Sequence, residues 1–151
     1  MNLSWQGHEV VTAPKSRVWA FINDPASIAQ CVPDVVETNV LDDRHVEAVV
    51  KVGVGPVRGN FKLKIELDPQ PGGNRMNMKI NGGGFGSVVD LTAGADVKAD
   101  GDSSTSLDWS GSATMRGPIA SIAGRVIDAQ AQRVITETFA NVRARCSSSS
   151  G

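Results

Sequence analysis

The side chains that could perform acid–base, nucleophilic or metal chemistry are few in this sequence and lie far apart. The 151 residues include two histidines and two cysteines but no tyrosine. His8 and His45 occupy strand positions opposite the apolar ones, which predicts surface histidines, and neither is paired with a nucleophile and an orienting carboxylate. Cys31 and Cys146 have no partners at metal-ligand spacing. The sequence therefore predicts neither a catalytic residue nor a metal site.

Cysteine usage and hydropathy indicate the compartment. We expect Cys31, which follows a short predicted helix, to be a buried structural cysteine, and Cys146 to be exposed in a polar tail. Two cysteines so far apart are typical of a cytoplasmic protein with free thiols. The first ten residues lack the basic region and apolar stretch of a secretory signal. No apolar run approaches the roughly 18 residues that span a bilayer. The expected location is the cytoplasm.

Apolar residues alternate with polar ones over the middle of the chain, as they do in strands with one apolar and one polar face. The clearest case is a pair of alternating stretches joined by Gly55 and Pro56. A first strand is expected at 3–11, followed by two short helices, the first beginning near Pro14 and the second ending before Pro33. Six further strands are expected at 35–41, 46–54, 57–67, 75–81, 88–98 and 107–115.

From Pro118 onward the spacing of apolar residues changes to three and four, which predicts a long amphipathic helix reaching residue 145. Residues 146–151 have the composition of a flexible polar tail. The order of strand, two short helices, six strands and long helix predicts a single α+β domain over residues 1–145. In it, an antiparallel sheet carries the helix on one face.

The relative widths of sheet and helix predict how they fit together. Seven strands about 4.8 Å apart form a sheet on the order of 30 Å wide, whereas one helix is about 10 Å across. We therefore expect the sheet to curl around the helix. Small residues and methionines on the inner face leave two interpretations open, a packed core or a cavity for an apolar ligand. The expected lining is Trp19, Ile22, Val52, Phe61, Leu63, Met76, Met78, Phe85, Leu91, Trp109, Met115, Ile122, Val126 and Phe139.

Two other features of the sequence bear on ligand binding. The glycine-rich stretch 82–86 is followed by a strand rather than by the helix that a dinucleotide fingerprint requires, so a bulge or wide turn is expected there. We expect Phe85, within this stretch, to cover the mouth of the cavity. Arg58 and Arg125 are candidates for a polar contact with a ligand headgroup, although each position also suits a surface cation.

The charge balance excludes one class of partner and leaves another open. A net charge of -1 argues against nucleic acid, because binding phosphates requires a basic excess. Basic residues are concentrated between Arg44 and Lys79, and aspartates between Asp90 and Asp108. The outer face of the sheet is therefore either a solvated surface or a docking surface for an anionic partner or membrane.

Three stretches carry a family resemblance: VWAFINDPASIAQCVPDV from Val18, KVGVGPVRGNF from Lys51 and MRGPIASIAGRVID from Met115. They resemble the carbon monoxide dehydrogenase G-subunit family, within the START-like (SRPBCC) helix-grip superfamily. The matches extend over nearly the whole chain. At one position the chain departs from the family, because Asp34 stands where relatives usually have glycine.

The resemblance implies a curved sheet that grips the long helix, with an apolar cavity between them and no covalently bound cofactor. It implies a quinone, a lipid or a similar elongated apolar ligand. It also implies an accessory role for a molybdenum hydroxylase of the carbon monoxide dehydrogenase type, in assembly or in coupling to the membrane and its quinones. Peripheral contact with the inner face of the membrane would accompany that role.

Two alternatives from other functional classes stay open at this point. An enzyme of the same superfamily, a cyclase or hydrolase, would act on an apolar aromatic substrate and would need a titratable group with a perturbed pKa in the cavity. A protein-docking scaffold would instead use the basic face of the sheet. A slip of one residue in strand register would exchange the two faces and favour the enzyme.

Overall fold

The computed structural model describes residues 1–54, 57–84, 86–122 and 124–148. The elements are β1 (Asn2–Val11), α1 (Lys15–Ile22), α2 (Pro25–Cys31), β2 (Val35–Val40), β3 (His45–Val54), β4 (Val57–Pro69), β5 (Arg75–Gly84), β6 (Ser87–Ala99), β7 (Thr105–Arg116), a 3₁₀ helix (Pro118–Ser121) and α3 (Gly124–Ser148). This order confirms the predicted α+β class, with a seven-stranded sheet, two short helices after the first strand and a long final helix.

All seven strands join one antiparallel sheet in the order β1-β7-β6-β5-β4-β3-β2. Each hairpin pairs consecutive strands, and β1 returns to pair with β7 along its whole length, from Asn2 opposite Thr114 to Val11 opposite Thr105. The first and last strands of the chain are therefore neighbours, while β1 and β2 form the two edges.

The strand register confirms which side chains face the helix. Residues directly opposite each other in an antiparallel pair point to the same face of the sheet. One such row runs across five strands through Leu67, Met78, Ala93, Gly111 and Trp5. Every apolar position predicted by alternation in this row falls on the inner face, so the register slip that would have exchanged the faces has not occurred.

The final helical segment differs from the prediction at both ends. Residues from Pro118 form a separate 3₁₀ turn, because Ile122 is extended at φ -78° and ψ 144° and α3 begins only at Gly124. At the other end, α3 continues through Ser148, and Cys146 is fully buried. The prediction of an exposed Cys146 is wrong because this side chain lies one helical turn beyond buried Val142 and extends the apolar stripe.

Asp34 has a backbone conformation that glycine adopts most easily. Its φ of 64° lies in the left-handed region, which aspartate tolerates better than most side chains. The carboxylate then accepts a hydrogen bond from Arg133 Nη2 at 3.0 Å. Asp34 therefore adopts the turn and forms an ion pair between the residue before β2 and helix α3.

Among the helices that the structure describes, none combines the length and hydropathy required to cross a membrane.

Candidate ligand-binding site

The apolar interior consists of two separate clusters rather than one continuous core. The first lies beside α1 and α2 and includes Val18, Ile65 and Val142. The second lies beside the 3₁₀ helix and includes Phe61 and Ile127. Since α3 contributes to both clusters, it extends across the inner face of the sheet from one to the other.

The inner face between these clusters is incompletely covered. Ala93, Ala95 and Gly111 belong to neither cluster. Six residues on the face of the sheet toward α3 are partly exposed, namely Met78, Ile80, Leu91, Ala93, Ala95 and Gly111. Of these, Met78 and Ile80 pack against the first cluster and Leu91 against the second. The closest backbone approaches of α3 are to β1, β3, α1 and α2 rather than to the central strands. The middle of the inner face is therefore less completely buried than the two clusters at its ends.

Polar contacts hold one flank of α3 to strand β1. Trp5 Nε1 donates a hydrogen bond to Asp128 Oδ1 at 2.7 Å. Fifteen positions further along α3, Arg143 Nη1 donates to Glu9 Oε2 at 2.8 Å. Both contacts are partly buried, so solvent screens them less than it screens surface ion pairs. They position the helix beside β1.

A second set of polar contacts holds α3 to the segment before β2. Asn141 Nδ2 donates to the backbone oxygen of Cys31 at 2.8 Å, and Arg145 Nη1 donates to Gln30 Oε1 at 3.0 Å. The Arg133–Asp34 pair lies on the same side. Polar contacts therefore hold α3 along both of its flanks.

The residues predicted to line a cavity fall into three groups. Ile22, Phe61, Met76 and Met115 are buried core residues. Those that are partly exposed on or near the inner face are Trp19, Val52, Leu63, Met78, Leu91, Trp109, Ile122 and Phe139. Phe85, predicted at the mouth, lies outside the described residues. Contact of any of them with a ligand stays a prediction.

The inward placement predicted for Val126 is wrong, since its side chain is 45% exposed. The buried stripe of α3 passes through Ile127 and Val142. Val126 lies about 100° around the helix from Ile127, on the side that carries Arg133. Arg58 and Arg125 are also exposed.

Some of the residues that matter most to this site are not among those predicted from the sequence to line it. Ala93, Ala95 and Gly111 are recognisable by alternation as small inner-face residues but not as lining, because a short side chain is equally compatible with close packing. The Trp5–Asp128 hydrogen bond joins residues 123 positions apart. No local pattern could have revealed it.

The histidines do not form a catalytic group. His8 Nδ1 lies 2.5 Å from Asp108 Oδ1 on the outer face of the sheet. His45 contacts Asp42 and Glu66, and these hydrogen bonds raise the pKa of His45. Within the described residues, no three His, Cys, Asp or Glu side chains come together as metal ligands.

Both cysteines are buried thiols, and burial controls their chemistry. Desolvation raises the pKa of Cys31 to about 11, an effect that the charge of Arg145 partly offsets, and burial also raises the pKa of Cys146. We expect neither thiol of the native protein to react with Ellman's reagent at about pH 8, and both to react after unfolding in guanidinium chloride. Rapid reaction of one equivalent in the native protein would contradict the burial of Cys146.

A depression of about 800 Å³ lies on the opposite, outer face of the sheet, over β1, β7, β6 and β5. Its walls are mainly polar and include Ser4, Arg75, Thr92 and Ser112, while Trp5, Met78, Ala93 and Gly111 also border it. It is open to solvent and faces away from α3, so its chemistry is unsuited to the apolar ligand that the inner face would accept.

A family model for the G subunit of carbon monoxide dehydrogenase (CoxG) matches residues 7–147 of the chain. The chain belongs to this family. The match covers nearly all of the domain and confirms the resemblance carried by the three sequence stretches. No curated protein is significantly similar to this CoxG-family chain in sequence.

Solved structures share the fold at low sequence identity. A conserved protein from Geobacillus kaustophilus is 21% identical over 97% of both chains, with a TM-score of 0.86. A START superfamily protein from Mycobacterium smegmatis is 12% identical, with 96% of this chain and 97% of that chain covered and a TM-score of 0.74. The Zhui aromatase/cyclase from Streptomyces sp. R1128 is 15% identical, with 97% and 94% covered and a TM-score of 0.67. At these identities the likeness establishes a START-like fold for the CoxG-family chain and nothing finer.

Proposed function

We propose that this protein is a non-enzymatic accessory protein that binds a lipophilic small molecule, quinone-like or lipid-like, between the sheet and helix α3. It serves a molybdenum hydroxylase of the carbon monoxide dehydrogenase type, in assembly or in coupling the enzyme to membrane quinones. It acts in the cytoplasm and at the inner face of the membrane. Membership of the CoxG family supports the association with the dehydrogenase.

One observation carries the proposal for ligand binding. Several apolar residues of the inner face, at the margins of the two clusters, are only partly buried. A packed core would bury Leu91, Ile80 and Met78 completely, because protein interiors are packed as densely as organic crystals. An elongated apolar molecule would complete this burial.

The chemistry of the lining favours binding over catalysis. Burial of apolar surface contributes roughly 25 cal/mol per Å², so each 100 Å² of covered surface adds about 2.5 kcal/mol to affinity. Two acidic groups between β1 and α3, Asp128 and Glu9, accept hydrogen bonds from Trp5 and Arg143. A carboxylate held by such partners serves to position the helix. It is then not free to act as a general acid or base on a bound molecule.

Native mass spectrometry of the purified protein, before and after mild organic extraction, tests this function. We expect a retained small molecule whose mass disappears on extraction, since an apolar ligand survives purification in an enclosed site. The same protein analysed under denaturing conditions serves as the control for covalent adducts.

A bare chain mass in both samples, together with failure to take up an added quinone or lipid, would contradict the proposal. It would favour docking through the basic outer face instead. There, Lys51, Lys64 and Lys79 have no ion-pair partner within the described residues.

A further inference from the structure

Strand β2 forms an edge of the sheet that is open to solvent. It is the last strand in the sheet order, and five of its six residues are exposed. The other edge strand, β1, is flanked by α3 through the Trp5–Asp128 and Glu9–Arg143 contacts. An open edge presents a row of unpaired backbone N–H and C=O groups to which another chain can add a strand.

The hydrogen bonds between β2 and β3 determine which backbone groups point to this edge. Leu41 N donates to the backbone oxygen of His45 at 2.9 Å. In an antiparallel pair, residues bonded to the neighbouring strand alternate with residues whose backbone groups point away from it. Asn39, two residues before Leu41, is therefore also directed to β3, whereas the N–H and C=O groups of Thr38 and Val40 point to the open edge.

Natural proteins protect such edges, and β2 has only part of this protection. Lysines, prolines and bulges are the usual devices. A bulge does interrupt the register at the start of the strand, but residues 35–41 contain no lysine, arginine or proline. Val36, Val40 and Leu41 are 51%, 50% and 43% exposed, and they are three of the six large apolar side chains exposed among the described residues. This concentration of apolar surface on one short edge favours a contact surface.

The charge of this edge determines what can pair with it. Residues 34–43 include four acidic residues and no basic one. Asp34 is paired with Arg133, and Asp42 interacts with His45. A depression of about 390 Å³ at the end of the strand is lined by Asn23, Asp24, Pro25, Val40, Leu41, Asp42 and Asp43. A lysine or arginine side chain entering it would bring its aliphatic part against the apolar residues and its charge to the carboxylates.

The same charge disfavours a second copy of this chain as the occupant. Two β2 strands paired across a two-fold axis would bring together four acidic residues from each segment with no base on either. Like charges facing each other across strands are destabilising. Lys62, a base within electrostatic range of Glu37, is itself paired with Glu47 at 2.8 Å. The complementary occupant is a strand that carries lysine or arginine.

We propose that β2 accepts an extended, basic segment of a partner protein as an added antiparallel strand. The backbone of this segment bonds to the N–H and C=O groups of Thr38 and Val40, and its apolar residues lie opposite these two. A lysine or arginine near its amino end enters the depression beside Asp24 and Asp43. The inference concerns a protein partner and goes beyond the small-molecule ligand proposed above.

Two synthetic peptides, acetyl-KTVTVKVT-amide and acetyl-ETVTVEVT-amide, separate the charge requirement from general strand affinity. In antiparallel register on β2, the first residue of each peptide reaches the depression and the sixth lies opposite Glu37. Fluorescence anisotropy of the labelled peptides at physiological ionic strength should show the basic peptide bound at least about tenfold more tightly. Glu37→Lys should weaken binding of the basic peptide about tenfold, because it places like charges opposite each other.

Asp102→Lys is the matched control, since it makes the same change of charge at an exposed position between β6 and β7, remote from β2 in the strand order. It should change the affinity by no more than about twofold, because solvent ions screen the distant charge. Absence of binding, equal affinities for the two peptides, or equal losses in the two variants would each overturn the proposal.

Methylation of the peptide's backbone nitrogens tests strand addition without altering the protein. N-methyl groups on the third and fifth residues of the basic peptide remove the donors that would face Thr38 and Val40, and should abolish binding. N-methyl groups on the fourth and sixth residues point away from β2 and should leave the affinity within about threefold. Similar affinities of the two methylated peptides would refute strand addition.

Amide hydrogen exchange of the wild-type protein locates the contact. The amides of Thr38 and Val40 should exchange rapidly in the protein alone and about tenfold more slowly with the basic peptide, whereas the amide of Asn39 is protected in both states. Sedimentation equilibrium of the protein alone should show a monomer. A dimer that Glu37→Lys alters would assign β2 to a second copy of the chain and overturn the proposal.

Discussion

Replacing Ala93 with phenylalanine is expected to weaken binding of 2,3-dimethyl-1,4-naphthoquinone on the order of 100-fold, because displacing about 100 Å² of apolar contact costs about 2.5 kcal/mol. Ala93 lies in the centre of the inner face, opposite Met78 on β5 and Gly111 on β7, and is partly exposed. A phenyl ring added there would occupy the space that the ligand is proposed to fill.

The same substitution should leave the midpoint of thermal unfolding unchanged or raise it. An added ring in a dense core would be overpacked and destabilising, whereas a ring that fills an open apolar space buries additional surface. Equilibrium dialysis and calorimetry on one preparation measure both quantities. The combination of lost binding and retained stability is specific to an open interior.

Thr92→Phe is the matched control for Ala93→Phe. Thr92 is the adjacent residue of β6, points to the outer face and contacts Ser112 there. Its replacement should leave quinone affinity within about twofold of the wild-type value, since residues on the outer face are remote from α3. Equal loss of binding in both variants would place the ligand elsewhere, and loss of stability in Ala93→Phe alone would indicate a packed core.

Gly117→Ala is expected to lower the free energy of unfolding by about 3 kcal/mol or more, the largest stability effect anticipated for a single methyl group in this protein. Gly117 precedes the 3₁₀ helix with φ 84° and ψ -159°, a combination essentially restricted to glycine. A Cβ atom at this position would lie 2.3 Å from the backbone oxygen of Gly86 and 2.9 Å from Ser87 Cα. Because the neighbouring atoms belong to the backbone, no side-chain rotation relieves the contact.

Gly101→Ala separates the conformational cost from the steric one. Gly101 has the same φ of 84°, but no atom lies within 4 Å of a Cβ built there. In this control the free energy of unfolding should fall by only about 1 kcal/mol, the usual cost of placing an alanine in the left-handed region. Urea denaturation of the two variants measures the difference. Equal losses would show that the contact between Gly117 and Gly86 is not tight.

The strands and their faces could be predicted from the sequence because a local rule governs them. Side chains alternate along any extended backbone, so the positions of Met78, Leu91 and Ala93 on one face follow from their spacing alone. The long helix after Pro118 could also be predicted locally, because apolar residues there recur every three or four positions. The family could likewise be recognised, since its motifs are contiguous stretches of chain.

Distances between elements that are remote in sequence could be decided only by the tertiary structure. The side of α3 on which Val126 lies depends on where the helix begins and how it is rotated over the sheet. The burial of Cys146 depends on whether the last turn of α3 meets the core. Neither property is carried by a local pattern, which is why both predictions were wrong.

The candidate site shows the same division. The sequence by itself determined that the inner face is apolar and that many of its residues are small, because composition and alternation suffice for that. Only the tertiary structure decided that polar contacts hold α3 along its flanks and that the middle of the inner face is partly exposed. Each of these depends on separations of a few ångströms between strand and helix, which are set by the packing of the whole domain.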